Sequence, residues 1–332
     1  PKDNRRMHKV PIPRLGGLAI FIAFMFSVLI FAQIDTQTKG ILLGATIIVV
    51  LGVLDDIMAL PALPKFVVQI FAAVVVVLHG CRIEFLSNPV PSSAATYMAL
   101  PEWLSVTITI IWIVAITNAV NFIDGLDGLA AGIAAIASFF LFLIAFGRGL
   151  EETAMLSIIL LGATLAFLRY NFAPASIFMG DSGSLLLGAM IGVISLMGVM
   201  RSPTVIVLAV PLVIAAIPIA DTAAAIIRRV YHHQPIQQAD RKHLHHMLLR
   251  KGYGVRKSVV IVYAWTALLG VGAWVMSSTH GVAVWAMIAI MLLGSFFILW
   301  RLGIFDQVLR HHYHGRHTRQ EDKPRWYGRH GR

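Results

Sequence analysis

Long apolar runs, separated by short polar stretches, occupy most of the 332 residues of this chain. Each run has about 17 to 25 residues, enough for a helix to cross a hydrocarbon layer of roughly 30 Å. With 58% hydrophobic and 13% charged residues, the chain is too apolar for a soluble domain of this size. The sequence therefore predicts an all-α polytopic membrane protein with ten spans, at 15–34, 40–60, 64–80, 103–120, 128–147, 152–170, 183–200, 204–227, 258–277 and 281–300.

The positive charges predict which side of the membrane each loop faces. Segment 1–14 is basic, and the positive-inside rule places it in the cytoplasm. Alternating the spans from there leaves only four of the 27 Lys and Arg residues on the outer side: Lys39, Arg82, Arg148 and Arg201. We therefore expect one membrane-embedded domain over 1–332, with a bundle at 15–300, a long inner loop at 228–257 and a basic cytoplasmic tail at 301–332.

A polar stretch at residues 118–129 interrupts two of the apolar runs. Asn118, Asn121, Asp124 and Asp127 recur at every third position, so a tight helical turn would place them roughly on one side. Carboxylates at the edge of a bilayer are costly to bury and are usually retained for ions, substrates or protons. The alternative interpretation is a solvated loop in which Asp127 caps the following helix.

The other unusual polar groups fall on the same predicted side. They are carboxylates, an amide and imidazoles, at Asp55, Asp56, Asn171, Asp181, Asp221, His243, His245 and His246. The acids predicted on the outer side lie in ordinary connecting loops. This convergence predicts a single functional site at the cytoplasmic face.

The pair Asp55-Asp56 ends an apolar run. Adjacent carboxylates near a low-dielectric boundary repel each other, so they bind a cation or share a proton. Lys65 begins the next run, where it could reach a phosphate or extend its ammonium group to solvent. Asp221 precedes Arg228 by two helical turns, and it could either bind a ligand or balance that charge.

The segment around Gly180-Asp181-Ser182 opens the seventh run. The N-terminus of a helix preceded by glycine binds phosphate oxygens, and Asp181 could supply an oxygen ligand to Mg²⁺ shared with a diphosphate. A plain helix cap is the alternative. Phe178 could stack on a nucleobase or simply pack. Acids, amides and a basic, His-rich loop together predict a divalent cation with a polyphosphate ligand.

These motifs resemble the polyprenyl-phosphate N-acetylhexosamine-1-phosphate transferases, the MraY-like superfamily of membrane phosphoglycosyltransferases. The run His243-Leu-His245-His246 and the segment around Asp221 are most similar to those of the WecA and TagO branch. That branch has eleven spans, so we expect one more span upstream of Pro1. The matching pieces span nearly the whole chain in order: Pro1 to Gly17, Asp55-Asp56 with Lys65-Phe-x-x-Gln69, Asn118 to Leu129, Asn171 to Ser184, and Asp240-Arg-Lys-His243-Leu-His245-His246.

The resemblance implies transfer of N-acetylhexosamine-1-phosphate, with GlcNAc expected, from a UDP-sugar to undecaprenyl or decaprenyl phosphate, releasing UMP. The setting would be the bacterial inner membrane, at the first membrane step of cell-envelope polymer synthesis. Mg²⁺ is the implied cofactor, with Mn²⁺ as an alternative. The implied partners are these substrates and the lipid bilayer, without nucleic acid, and a homodimer is compatible with the family.

The resemblance also implies roles for single residues. Asp181 and Asp56 would bind the metal, and Asp55 or Asp56 would handle the proton of the lipid phosphate. Direct attack by that phosphate and a covalent aspartyl intermediate both fit. Asp124 would belong to the catalytic set, and the substrate-binding residues would be Lys65, Asn118, Asn121, Asp127, Asn171, Phe178, Asp221, His243, His245 and His246.

An ion-coupled transporter is the alternative class of protein, in which the acids would form a path for Mg²⁺ or protons. Transporters place such residues near the membrane midplane and commonly contain paired repeats. Here the acids are predicted at one face and no repeat is visible. A CDP-alcohol phosphotransferase does not fit, because Asp127-Gly128 is followed by Leu-Ala-Ala-Gly with no arginine nearby.

Overall fold

The computed structural model describes residues 13–87, 97–201 and 253–277, together with scattered residues between 286 and 295. The elements with defined bounds are helices α1 (Gly16–Phe31), α2 (Thr36–Met58), α3 (Ala62–Leu78), α4 (Glu102–Ile123), α5 (Leu129–Gly147), α6 (Glu151–Asn171), α7 (Gly180–Arg201) and α8 (Val255–Ser277), and strands β1 (Phe85–Ser87) and β2 (Tyr97–Ala99).

The described helices confirm a mostly helical, multi-pass membrane protein. Helices α2, α4, α5, α6, α7 and α8 are long and apolar enough to cross a membrane, and α1 and α3 are shorter apolar helices. The predicted span at 204–227, most of that at 281–300, and the terminal segments 1–12 and 301–332 lie outside the described residues. The total of ten spans therefore stays a prediction.

Helix α7 lies at the centre of the bundle. It packs against α1, α2, α4, α5 and α6, and Leu186, Ile191 and Val193 on it have no exposed surface. A helix that is apolar all round is expected in such a position. On the outer helices, Ile30 and Leu78 are 69% and 78% exposed. Exposed apolar side chains are expected there, because lipid tails are as apolar as a leucine side chain.

Short connections bring the ends of several helices together. Residues 59–61 join α2 to α3, 124–128 join α4 to α5, and 172–179 join α6 to α7. In each case the two joined helices also contact each other. The antiparallel pair β1–β2, in which Phe85 lies opposite Ala99, belongs to the connection between α3 and α4.

Glycines bring α1 and α2 close to the first turn of α7. Gly17 lies against Gly183, and a Cβ atom added to Gly52 would stand 2.3 Å from the Cα atom of Ser182. Small residues at helix interfaces allow backbones to approach closely in membrane proteins. The position of the first turn of α7 is therefore fixed by backbone contact with two other helices.

This packing predicts different effects for two glycine substitutions. Gly52→Ala should lower the free energy of unfolding by about 1–3 kcal/mol, because the added methyl group meets backbone that cannot move aside. Gly162→Ala is the matched control in helix α6: its added methyl group meets nothing within 4 Å. The control should raise stability by up to about 1 kcal/mol. Thermal unfolding of both variants in detergent tests this, and equal effects would contradict it.

Candidate active site

The carboxylate of Asp56, at the end of α2, caps the start of α7. Its Oδ1 atom accepts a hydrogen bond from the backbone N–H of Asp181 at 2.9 Å, and its Oδ2 atom accepts one from Ser182 at 3.1 Å. The first N–H groups of a helix have no partner within the helix, and a negative charge there also offsets the helix dipole. Gly180 enters the helix with φ of +71°. Asp56 thus fixes the position of Asp181, which carries another carboxylate of the site.

Lys65, at the start of α3, joins two carboxylates. Its Nζ atom lies 2.7 Å from Oδ2 of Asp55 and 3.5 Å from Oδ2 of Asp181. The Oδ1 atom of Asp55 accepts a hydrogen bond from the backbone N–H of Leu60 at 2.7 Å. The side chain of Asp55 is 5% exposed, whereas that of Asp181 is 35% exposed. Asp55 therefore holds Lys65 in place, and Asp181 presents its carboxylate to the accessible side.

Asp124 follows the last residue of α4 and belongs to the connection 124–128, which we call the site turn. The residue is half-buried, but its carboxyl group is shielded from solvent. This burial and the negative charges of Asp181, Asp56 and Asp127 raise the pKa of Asp124 to about 7. Carboxylates thus dominate its electrostatic surroundings, and the position would favour a bound cation.

The site turn is tied to residues 172–179, which we call the site loop. Oδ2 of Asp127 accepts a hydrogen bond from the backbone N–H of Ala175 at 2.9 Å. The Asn171 side chain accepts from the N–H of Gly128 at 3.1 Å and donates to the carbonyl of Ile177 at 2.9 Å. Asn171 is 3% exposed. In this structure it joins backbone to backbone, so its predicted contact with substrate stays a prediction.

The two other predicted amides join helices. The Nδ2 atom of Asn118 donates to Oε1 of Gln69 on α3 at 2.5 Å, and Nδ2 of Asn121 donates to Oγ of Ser184 on α7 at 2.9 Å. Ser184 is fully buried, so this contact is shielded from water. These bonds hold the end of α4 between α3 and α7.

The polar residues that recur at every third position therefore do not form a single row in the structure. Asn118 and Asn121 belong to helix α4, whereas Asp124 and Asp127 lie in the site turn. On an α-helix, a step of three residues falls short of a full turn by roughly 60°. The four side chains consequently meet α3, α7, the carboxylates of Asp181 and Asp56, and the site loop, respectively.

The remaining predicted site residues are Phe178 and four residues from the later part of the chain. Phe178 is partly buried, and its backbone bonds to Pro13 and Gly16 at the entrance to α1. The predicted residues Asp221, His243, His245 and His246 lie outside the described part of the chain.

Two contacts from α8 were not predicted from the sequence. The Tyr263 hydroxyl donates a hydrogen bond to the carbonyl of Gly128, and the Nε atom of Arg256 donates to the carbonyl of Ala173 at 2.7 Å. Tyr263 is a polar group within a predicted apolar run, which is the one signal that could have drawn attention to it. α8 therefore touches both the site turn and the site loop.

The donor chemistry of this cluster fits a hard divalent cation. Carboxylate oxygens are the ligands that Mg²⁺ prefers, and Mg²⁺ is usually held by one or two carboxylates together with waters and substrate phosphates. Within the described residues, no three acidic, His or Cys side chains form a complete metal-binding group. A cation here would thus depend on further ligands, as Mg²⁺ sites commonly do.

Comparisons with known proteins show which proteins the chain is similar to. The sequence model of glycosyl transferase family 4 matches residues 38–199. A protein of Bacillus subtilis described as probable undecaprenyl-phosphate N-acetylglucosaminyl 1-phosphate transferase is 40% identical, over 92% of this chain and 82% of the relative. A decaprenyl-phosphate N-acetylglucosaminephosphotransferase of Mycolicibacterium smegmatis is 35% identical, over 81% and 73%. A phospho-N-acetylmuramoyl-pentapeptide-transferase of Clostridium beijerinckii is 32% identical, over 81% and 83%.

The fold and the site define a polytopic membrane protein whose charged groups meet at one end of a helical bundle. None of these three relatives is described as a transporter. The chain belongs to glycosyl transferase family 4, a family of enzymes.

The surroundings of two carboxylates predict opposite effects on stability. Asp124→Asn should raise the unfolding temperature, because it removes a charge that burial and three other carboxylates oppose. Asp56→Asn should lower stability by about 1 kcal/mol, because an amide can accept only one of the two hydrogen bonds from α7 in the same orientation.

The gain from Asp124→Asn should depend on pH. Because the pKa of Asp124 is raised from 3.8 to about 7 in the folded protein, ionisation costs stability as the pH rises between these values. The gain should therefore be largest above pH 7 and disappear near pH 4. Thermal unfolding in metal-free detergent buffer across this range measures it, and a gain that grew toward acid would contradict the assignment.

Proposed function

We propose that this protein transfers GlcNAc-1-phosphate from UDP-GlcNAc to undecaprenyl or decaprenyl phosphate, releasing UMP and forming polyprenyl-diphosphate-GlcNAc. The observation that carries the proposal is the meeting of Asp181, Asp124 and Lys65 at one end of a membrane bundle. It is supported by the Bacillus subtilis relative, whose described activity joins N-acetylglucosaminyl 1-phosphate to a polyprenyl phosphate.

We assign Asp181 and Asp124 as the residues that would hold Mg²⁺. Asp181 is the more exposed carboxylate beside Lys65, and Asp124 is opposed by other negative charges. When bound, Mg²⁺ would neutralise negative charge on the diphosphate. Asp56, the other metal ligand expected from the sequence, already accepts two hydrogen bonds from α7, and we give it a positioning role.

Lys65 would contact a substrate phosphate. Its ammonium group is a compact positive charge, and its contact with Asp55 at 2.7 Å keeps it beside Asp181. Phosphoryl transfer requires mainly that the reacting groups be oriented and that charge on the phosphoryl oxygens be neutralised. Asp55 orients Lys65, and Asp127 holds the site turn against the site loop. These contacts supply the positioning that the reaction needs.

The contacts favour direct attack by the lipid phosphate over a covalent aspartyl intermediate. A nucleophilic carboxylate has to approach phosphorus freely. Asp55 is almost inaccessible, and its two oxygens bond to Leu60 and Lys65. Both oxygens of Asp56 bond to α7. Either residue would have to break these bonds to act as the nucleophile.

We assign the site to the cytoplasmic face of the bacterial inner membrane. Arg256 and Lys257 at the start of α8, with Lys65 and Arg169, place four basic residues at this end of the bundle, in accord with the positive-inside rule. The loop 228–257 would follow at the same end, with Asp221 before it. His243, His245 and His246 of that loop would bind phosphates.

The decisive experiment is UMP release by the purified protein in detergent. The complete reaction contains polyprenyl phosphate, Mg²⁺ and UDP-GlcNAc, and each is omitted in turn. UDP-GalNAc and UDP-glucose replace the donor in parallel reactions. Release should require lipid, metal and UDP-GlcNAc together. Folded protein that releases no UMP with any donor would overturn the proposed function.

Asp181→Asn tests the metal assignment. The variant should lose about 100-fold or more in turnover, because a ligand charge at the reacting phosphates is removed. The control is Asp35→Asn, whose carboxylate accepts a hydrogen bond from the Thr38 N–H as the cap of α2. Asparagine caps helices as well as aspartate does, so the control should retain activity. Unchanged turnover of Asp181→Asn at every Mg²⁺ concentration would contradict the assignment.

The histidine loop is tested by replacing both His245 and His246 with Ala. If these side chains bind phosphates, the KM for UDP-GlcNAc should rise by roughly tenfold while the protein stays folded. The matched control replaces His311 and His312 of the basic tail. Equal KM values for the two double variants would show that the loop histidines do not bind the donor.

A further inference from the structure

Helix α8 is bonded to both segments that carry the site. The Tyr263 hydroxyl donates to the carbonyl of Gly128 in the site turn, and Arg256 donates to the carbonyl of Ala173 in the site loop at 2.7 Å. The two donors are about two helical turns apart on α8. The helix thus spans both segments and fixes each by its backbone.

These bonds complete a closed frame. The site turn and the site loop are already joined by Asp127 to Ala175 at 2.9 Å and by Asn171, which bonds to Gly128 and Ile177. Asn171 is the last residue of α6, so these bonds tie the pair to that helix. α8 supplies the third side, since it also packs along α5.

The ring of Tyr263 is held where its hydroxyl can reach Gly128. A Cβ atom added to Gly132 would lie 1.9 Å from the ring, so the ring lies directly on the backbone of α5. The aromatic ring of Phe172 is the second neighbour, with ring centroids 6.5 Å apart. Gly128 has φ of +81°, a conformation that side chains other than glycine rarely adopt. The hydroxyl therefore bonds to a backbone position that is already narrowly defined.

We propose that Tyr263 and Arg256 are positioning residues for phosphoryl transfer, holding the site turn so that Asp124 points toward Asp181. This inference rests on the proposed function. Neither residue belongs to residues 38–199, the part that the family description matches. Misplacing a catalytic group by about 1 Å lowers the rate without removing any group that contacts substrate. Loss of either bond should therefore affect turnover more than folding.

The experiment compares Tyr263→Phe with the parent protein. Phenylalanine keeps the ring against Gly132 and Phe172 and removes only the hydroxyl. We expect kcat to fall roughly two- to tenfold, as for the loss of one hydrogen bond that orients a reacting group. The KM for UDP-GlcNAc should change by less. Tyr170→Phe is the matched control, because Tyr170 is 58% exposed at the end of α6, and it should leave kcat unchanged.

Hydrogen exchange measured by mass spectrometry tests the frame independently of activity. Tyr263→Phe should speed exchange in peptides covering 124–132 and leave that of α2 and α3 unchanged. Arg256→Met should speed exchange chiefly in 172–179, because Arg256 donates to the carbonyl of Ala173 in the site loop. Thermal unfolding of both variants shows whether either has lost its global fold.

Each combination of results decides the proposal. Faster exchange with lower kcat supports it. Faster exchange with unchanged kcat makes the two contacts structural only and overturns it. Lower kcat with unchanged exchange means that Tyr263 acts directly on substrate, which also overturns it, as does the absence of both effects. If the parent releases no UMP, the proposed function fails, whereas the exchange data still decide whether α8 holds the site turn.

Discussion

The start of α7 depends on a carboxylate from another helix. Its first N–H groups have no partner within the helix, and an unpaired polar group is costly where neighbouring helices cover it. Asp56 meets this requirement with both oxygens, at 2.9 and 3.1 Å. α7 is the central helix and packs against five neighbouring helices. The same bonds position Asp181, so one side chain serves the fold and the site together.

The acids of the site divide into two groups according to their bonding. Asp55 and Asp56 have partners for both oxygens, and they hold Lys65 and α7. Asp124 is opposed by neighbouring negative charge, and Asp181 remains partly exposed. Charges that are paired stabilise the fold, whereas charges that repel are kept where a ligand can relieve the repulsion. The arrangement therefore couples the stability of this end of the bundle to what it binds.

The apolar runs were enough to predict most of the described helices. The predicted runs at 40–60, 103–120 and 128–147 correspond to α2, α4 and α5, since span length and hydrophobicity are properties of the sequence alone. The convergence of polar residues at one end of the bundle is also confirmed among the described residues. Because successive helices run in opposite directions, every second connection lies at the same end of the bundle, whatever the exact packing.

The particular partners of these residues could not be predicted. The sequence predicts that Asp56 binds a metal, which stays a prediction, whereas its two hydrogen bonds to the backbone of α7 were not predicted. These bonds depend on how closely Gly52 lets α2 approach Ser182. Tyr263 contacts Gly128, 135 residues earlier in the chain. Such contacts follow from the three-dimensional packing of helices, and a spacing rule within one helix contains no information about them.

The bond between Asp56 and α7 also has a consequence for how the chain is assembled during synthesis. The two partners are 125 residues apart, and a chain is made and inserted from its N-terminus. α2 is therefore already in the membrane when the ribosome produces α7. The central helix is made after α1 and α2, which contact its first turn. Asp56 is therefore available as a hydrogen-bond acceptor when α7 is inserted. The order of synthesis therefore lets the N-terminal amides of α7 find their partner as soon as this helix packs against α2.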